Sequence, residues 1–103
     1  MSRPASTPPR LSGKETIILE MLVQKSELYG LQLVDASRGR LKRGTVYVTL
    51  GRMEEKGYLT SRLEDAPPAA GGLPRRIYRP TALGRRVLDA WTRVAKQLRP
   101  EFA

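Results

Sequence analysis

The segment Leu41–Gly57 (LKRGTVYVTLGRMEEKG) constrains the fold more than any other part of the chain. Val46, Leu50 and Met53 are spaced four and then three residues apart, the repeat by which one side of a helix meets a core. The rest of its surface shows Arg43, Thr45, Tyr47, Thr49 and Arg52, hydrogen-bond donors with one aromatic and no acid. Glu54, Glu55, Lys56 and Gly57 close the segment, and the glycine supplies a helix stop. A helix covered on one side and rich in donors on the other is shaped for a DNA groove.

Its neighbours supply the cover. Ser12 and Glu15 have the spacing of a reciprocal helix cap. The apolar run Thr16–Val23 predicts a first helix to about Lys25, burying Ile18, Met21 and Leu22. After a break at residues 26–28, a second helix is expected from Tyr29 to Ser37, with Leu31, Leu33 and Val34 inward and Gly39 ending it. The third helix is expected over Leu41–Lys56. Beyond Gly57 the period becomes two, and Tyr58–Glu64 reads as a strand. The proline- and glycine-rich stretch 66–74 must be a loop, and Arg75–Arg79 returns as the second strand of a hairpin. Thr81 caps a last helix to about Leu98, and Pro100 discourages its continuation.

The expected fold is mainly α with a small β-hairpin: a winged helix-turn-helix plus a C-terminal dimerisation helix. Residues 1–10 read as a disordered arm, 11–80 as the winged domain, 81–99 as the dimerisation helix and 100–103 as a tail.

Composition narrows the partners. The chain has 103 residues and a formal net charge of +9, with a pI near 10.7. That balance points to polyanions, nucleic acid ahead of an anionic membrane. No apolar run approaches the roughly 20 residues of a membrane span, and no signal-peptide core is evident; a cytoplasmic location is expected. Without His or Cys, the usual general base, thiol nucleophile, disulfides and zinc ligands are missing. Glu54–Glu55 and Glu64–Asp65 suggest no apolar pocket around a carboxylate pair, and no phosphate-cradling glycine motif occurs. Neither an enzyme nor a cofactor is expected.

Several fragments together resemble the PadR family of transcriptional regulators. They are Tyr29-Gly30, Gly44-Thr45-Val46-Tyr47, Arg52-Met53-Glu54-Glu55-Lys56-Gly57, and the run Arg75 to Arg85. The likeness extends from about Leu11 to Leu98. It implies a homodimeric DNA-binding repressor whose last helix serves dimerisation. Lys42 stands where many relatives carry Ser near the start of the third helix, which implies a lost N-cap of about 1 kcal/mol and an added cation. Pro80 replaces a commoner apolar residue. The single short helix after the hairpin resembles the compact subgroup.

Roles follow from reach. Thr45, Tyr47, Val48 and Thr49 are candidates for base edges and a thymine methyl. Lys42, Arg43 and Arg52 are candidates for phosphates. Arg75 and Arg76, on the wing, would reach the backbone or minor groove. Tyr47 has an alternative, with its ring packed on the second helix and only the hydroxyl exposed. In the last helix Leu83, Val87, Trp91, Val94 and Leu98 recur at spacings of four, four, three and four, and a small core leaves part of that stripe for association. Pairing about a two-fold axis would set two third helices about 34–36 Å apart, one DNA turn. Trp91 is either dimer core or the floor of an apolar cavity that stacks an aromatic effector. The expected partners are therefore double-stranded DNA, a second copy of the chain and an aromatic small molecule, with no membrane. Two other readings compete: a sequence-indifferent nucleic-acid binder, and a protein-interaction winged helix whose basic face meets an acidic partner.

Overall fold

A computed structural model describes residues 9–65 and 74–98. The expected arm over residues 1–8, the loop over 66–73, the tail and the side chain of Leu98 lie outside the described residues. The elements run α1 (Gly13–Lys25), β1 (Leu28–Tyr29), α2 (Gly30–Ala36), α3 (Val46–Glu55), β2 (Leu59–Glu64), β3 (Arg75–Pro80) and α4 (Ala82–Leu98). Helices α1 to α3 and the β2–β3 hairpin form the winged helix-turn-helix, and α4 follows.

The α1 cap forms as expected. Glu15 N–H donates to Ser12 Oγ at 3.1 Å, and Ser12 N–H donates to Glu15 Oε1 at 2.8 Å. Ile18, Leu19 and Leu22 then point from α1 into the core, where they meet Leu33, Leu41, Val46, Leu50, Met53, Tyr58, Leu59 and Tyr78. A fully buried side chain of this size contributes about 1.5–3 kcal/mol, so α3 is held by its apolar stripe.

Three expectations need correction. First, the third helix starts at Val46, not Leu41. Thr45 N–H and Val46 N–H both donate to Lys42 O, at 3.2 and 2.9 Å, closing a turn over the preceding residues. Gly44 disfavours helix by about 1 kcal/mol relative to Ala, while Leu41 is buried and its N–H is held by Ser37 Oγ at 2.9 Å. The residue at the cap is Thr45, which makes no side-chain cap bond, so Lys42 does not decide the cap. Second, the break before α2 contains a strand. Leu28 pairs with Tyr78 and Tyr29 with Ile77, giving an antiparallel sheet of order β1-β3-β2. Two residues carry no period of their own, and only the pairing makes them a strand. Third, Leu31 lies outward at 43% exposure, leaving Leu33 as the buried apolar residue of α2. In so short a helix, Leu31 and Leu33 point about 200° apart, so they cannot share a face.

Thr81 joins α4 to the end of α3. Its N–H donates to Tyr58 O at 3.0 Å, its hydroxyl to Gly57 O, and its Oγ1 accepts from Gly84 N–H at 3.0 Å. A Cβ on Gly84 would lie 2.2 Å from Tyr58 O, so only glycine permits this approach. Val87 and Leu88 complete the core, whereas Leu83 is 39% exposed and Trp91 and Val94 are half-buried.

Candidate nucleic-acid interface

Burying Val46, Leu50 and Met53 turns the rest of α3 outward and leaves it two flanks. Thr45, Val48, Thr49 and Arg52 line one flank, and with Ser12, Lys14, Glu15 and Lys56 they bound an open groove of about 420 Å³. The N-terminus of α1 thus forms the opposite wall. Val48 is 55% exposed, and the carboxylates that could neutralise Arg52 are elsewhere engaged or absent from this lining. Threonine hydroxyls, a methyl-bearing side chain and guanidinium donors on one helical edge suit base edges flanked by phosphates.

Tyr47 belongs to the other flank. Its ring lies against Gly30, where an added Cβ would come within 2.5 Å of it. At 47% exposure it is both packed on α2 and open to solvent. It shares a cleft with Tyr29, Leu31, Leu63, Arg75 and Arg76 rather than with the other base-contact candidates. Lys42 and Arg43 are exposed in the turn leading into α3.

The described part of the wing carries its arginines on internal contacts. Arg75 stacks its guanidinium 4.2 Å from the centre of the Tyr29 ring. Arg76 Nη1 donates to Ser61 Oγ at 3.0 Å, and that hydroxyl donates to Glu54 Oε2 at 2.8 Å, tying the wing root to the end of α3. Arg62 and Arg79 share Glu27, at 3.3 and 3.8 Å. The Tyr29 hydroxyl donates to Glu64 Oε1 at 2.6 Å, and this bond, then partial desolvation, raises the phenol above its ordinary range. Burial likewise raises Tyr78.

Two groove residues escape sequence reasoning. Lys14, in the first turn of α1, looks like an ordinary surface lysine until α1 is seen beside α3. Lys56 reads in the sequence as part of the close of the segment, yet its Nζ lies 2.7 Å from Glu15 Oε2 and 5.9 Å from the Tyr58 ring centre. Burial pushes the Glu15 carboxyl up, but the hydrogen bonds from Lys56 and Ser12 and the lysine charge outweigh it and hold the group below its ordinary value. No spacing signal links residues 41 apart in sequence.

Of the four α4 residues Leu83, Val87, Trp91 and Val94, Val87 is buried in the core, Leu83 is exposed, and Trp91 and Val94 are half-buried. Trp91 donates its Nε1–H to Pro9 O and borders a shallow groove of about 240 Å³ with Leu88, Thr92, Ala95 and α1 residues Thr16 and Glu20. Among the described residues, no cluster of acids could hold a metal and no helix is long and apolar enough to cross a membrane.

Known proteins share this architecture. The model of the Transcriptional regulator PadR-like family matches residues 18–90. A PadR family transcriptional regulator from Eggerthella lenta is 30% identical, with a TM-score of 0.68 over 84% of this chain and 78% of that one. A PadR family transcription regulator from Clostridium difficile is 27% identical at TM-score 0.68, over 89% of this chain and 100% of that one. A PadR-like transcription factor from Bacteroides fragilis shares the fold at TM-score 0.72 and 23% identity, over 85% of this chain and 84% of that one. No curated protein matches the chain. With the family model covering most of the chain and joining the three-helix core to the hairpin, this protein belongs to the PadR-like family of transcriptional regulators.

Proposed function

We propose that this DNA-binding regulator is a homodimeric repressor that reads a palindromic operator. The observation that supports the reading is that the α3 residues lining the open groove, Thr45, Val48, Thr49 and Arg52, include donors and a methyl-bearing side chain but no acid. Thr45, Val48 and Thr49 contact bases. Lys14, Lys42, Arg43 and Arg52 hold phosphates on either side, and Arg75 and Arg76 bring the wing to the backbone. Tyr47 contributes from the opposite flank of α3, through the part of its ring left exposed.

Dimerisation through α4 is supported by the apolar side chains that the core leaves exposed or half-buried on it, Leu83, Trp91 and Val94. An aromatic molecule stacking on Trp91 at that interface would shift the spacing of the two α3 helices and release the operator.

Genomic footprinting with the purified protein tests the core of this reading. It should recover an inverted repeat with half-sites about 10 base pairs apart, centre to centre. Protection of random DNA at equal protein concentration would replace the reading with sequence-indifferent binding. Quenching of Trp91 fluorescence by planar aromatics tests the effector, and an unchanged spectrum at high micromolar ligand removes it.

A further inference from the structure

Glu64 and Arg75 are Cα partners in the β2–β3 ladder, at the foot of the wing. Opposite charges placed directly across two strands ordinarily attract and settle on one another. These two do not. Among the described residues Glu64 has its Oε2 3.9 Å from Arg62, and Arg75 takes part in no ion pair. Both are taken up by Tyr29 instead. The Tyr29 hydroxyl donates to Glu64 Oε1 at 2.6 Å, and its ring centre lies 4.2 Å from the Arg75 guanidinium carbon.

The Tyr29 ring is fixed at both ends. Its backbone caps α2 and pairs with Ile77 of β3, its N–H donates to Gln32 Oε1 at 2.8 Å, and its hydroxyl ends on Glu64. A guanidinium stacked on a ring keeps its charge and the donors along its edge, whereas one paired with a carboxylate spends both. Arg75 Nε is sealed without an acceptor among the described residues, and the residue as a whole is half-exposed. The face of the guanidinium thus fixes the wing, and its outer edge is left for a partner. A cation already held in place gains an anionic contact at little ordering cost. Arg62 and Arg79, on the same two strands, lack such a guard and are drawn onto Glu27 at 3.3 and 3.8 Å.

We propose that Tyr29 is a positioning residue for DNA binding: its hydroxyl withholds Glu64 from Arg75, and its ring presents the Arg75 guanidinium to a backbone phosphate. Tyr29 acts through Arg75, so this role rests on the reading of Arg75 as a phosphate contact given above.

The test measures binding of a labelled random-sequence duplex by the full chain between about 50 and 200 mM salt. Arg75→Gln should weaken binding about tenfold, the weight of one charge-assisted contact, and reduce the salt slope by about 0.9 for the phosphate lost. Tyr29→Phe keeps the ring but frees Glu64 to close on Arg75, and should reproduce both effects. Adding Glu64→Gln to Tyr29→Phe removes the competing charge and should restore the wild-type slope and affinity. Glu64→Gln alone, the control for the lost acid, should leave the slope unchanged. Tyr29→Leu removes the ring as well, and Glu64→Gln should restore it only in part; full restoration would overturn the role of the ring. A Tyr29→Phe protein with wild-type affinity and slope overturns the proposal. So does one that Glu64→Gln fails to restore, because a hydroxyl needed only for the fold would give that result. An unchanged slope in Arg75→Gln would instead remove Arg75 from the DNA reading, and the role of Tyr29 with it.

Discussion

The two flanks of α3 differ in how many of their polar groups are already spoken for. On the α1 side, Thr45 and Arg52 are exposed, and the internal commitments are local or lie on the far wall: the Thr49 hydroxyl on Thr45 O, the Ser12–Glu15 cap and the Glu15–Lys56 pair. On the α2 side, the Tyr47 ring is pressed on Gly30, Arg75 lies on Tyr29, and Arg76 is bonded through Ser61 to Glu54. One flank leaves the Arg52 guanidinium without an ion pair among the described residues; the other spends its guanidinium groups on fixing the wing against the helix. A reading helix needs both, because base contacts discriminate only if the helix and wing arrive in a fixed relation.

The largest effect should come where the two flanks share a foundation. Gly84→Ala would place a methyl 2.2 Å from the Tyr58 carbonyl, at the junction that ends α3 and starts α4. Backbone cannot step aside as a flexible side chain can, and we expect a loss of about 3 kcal/mol or more in denaturant unfolding. Gly30→Ala should break one flank only. Its methyl meets the Tyr47 ring at 2.5–2.7 Å, and the ring can swing out, so a loss of about 1–3 kcal/mol is expected. Because the α1-side groove is untouched, the salt dependence of DNA binding should keep its wild-type slope. A changed slope would mean that the flanks are not separable.

What the sequence made legible was local. The Ser12–Glu15 cap, the hairpin after Gly57 and the Thr81 cap each depend on residues close in the chain or on proline and glycine between strands. Val46, Leu50 and Met53 are core because a helical repeat is a local pattern. The rest depends on pairs distant in sequence. β1 exists only because β3 comes to lie beside it, and Lys14 enters the groove only because α1 crosses α3. Tyr47 is a base-contact candidate by its place on the helix, with packing on the second helix as the alternative, and a glycine in α2 gives its ring that resting place. Arg75 and Arg76 were legible as wing cations, but not the contacts that hold them.

Within the α1-side groove, the division between reading and positioning can be separated by substitution. Thr49→Ala should relax discrimination at one base position by about 1–3 kcal/mol while leaving random-sequence binding alone. Arg52→Ala should weaken specific and random DNA alike and reduce the salt slope by about 0.9 for the phosphate lost. Competition binding across salt concentrations reads both, and equal losses on both DNAs from Thr49→Ala would dissolve the distinction.

The smallest effect tests whether Lys56 is truly committed to Glu15. The carboxylate is buried while the ammonium is 45% exposed, so solvent screens the pair and its net contribution is at most about 1 kcal/mol. The sign is fixed by the folded-state shift. Glu15 titrates below its ordinary 4.5 in the fold, so its stabilisation is fully present above that value and disappears as pH falls through the lower, folded one. Unfolding free energies of wild type and Glu15→Gln should therefore converge as the pH is lowered beneath about 4.5. The same substitution releases the lysine into the groove. If Lys56 then meets a phosphate, the salt slope of DNA binding should steepen by about 0.9, even as the protein loses stability. A pair that merely decorates the surface would leave the slope where it was, and the α1-side flank would then have only local commitments to set against the other.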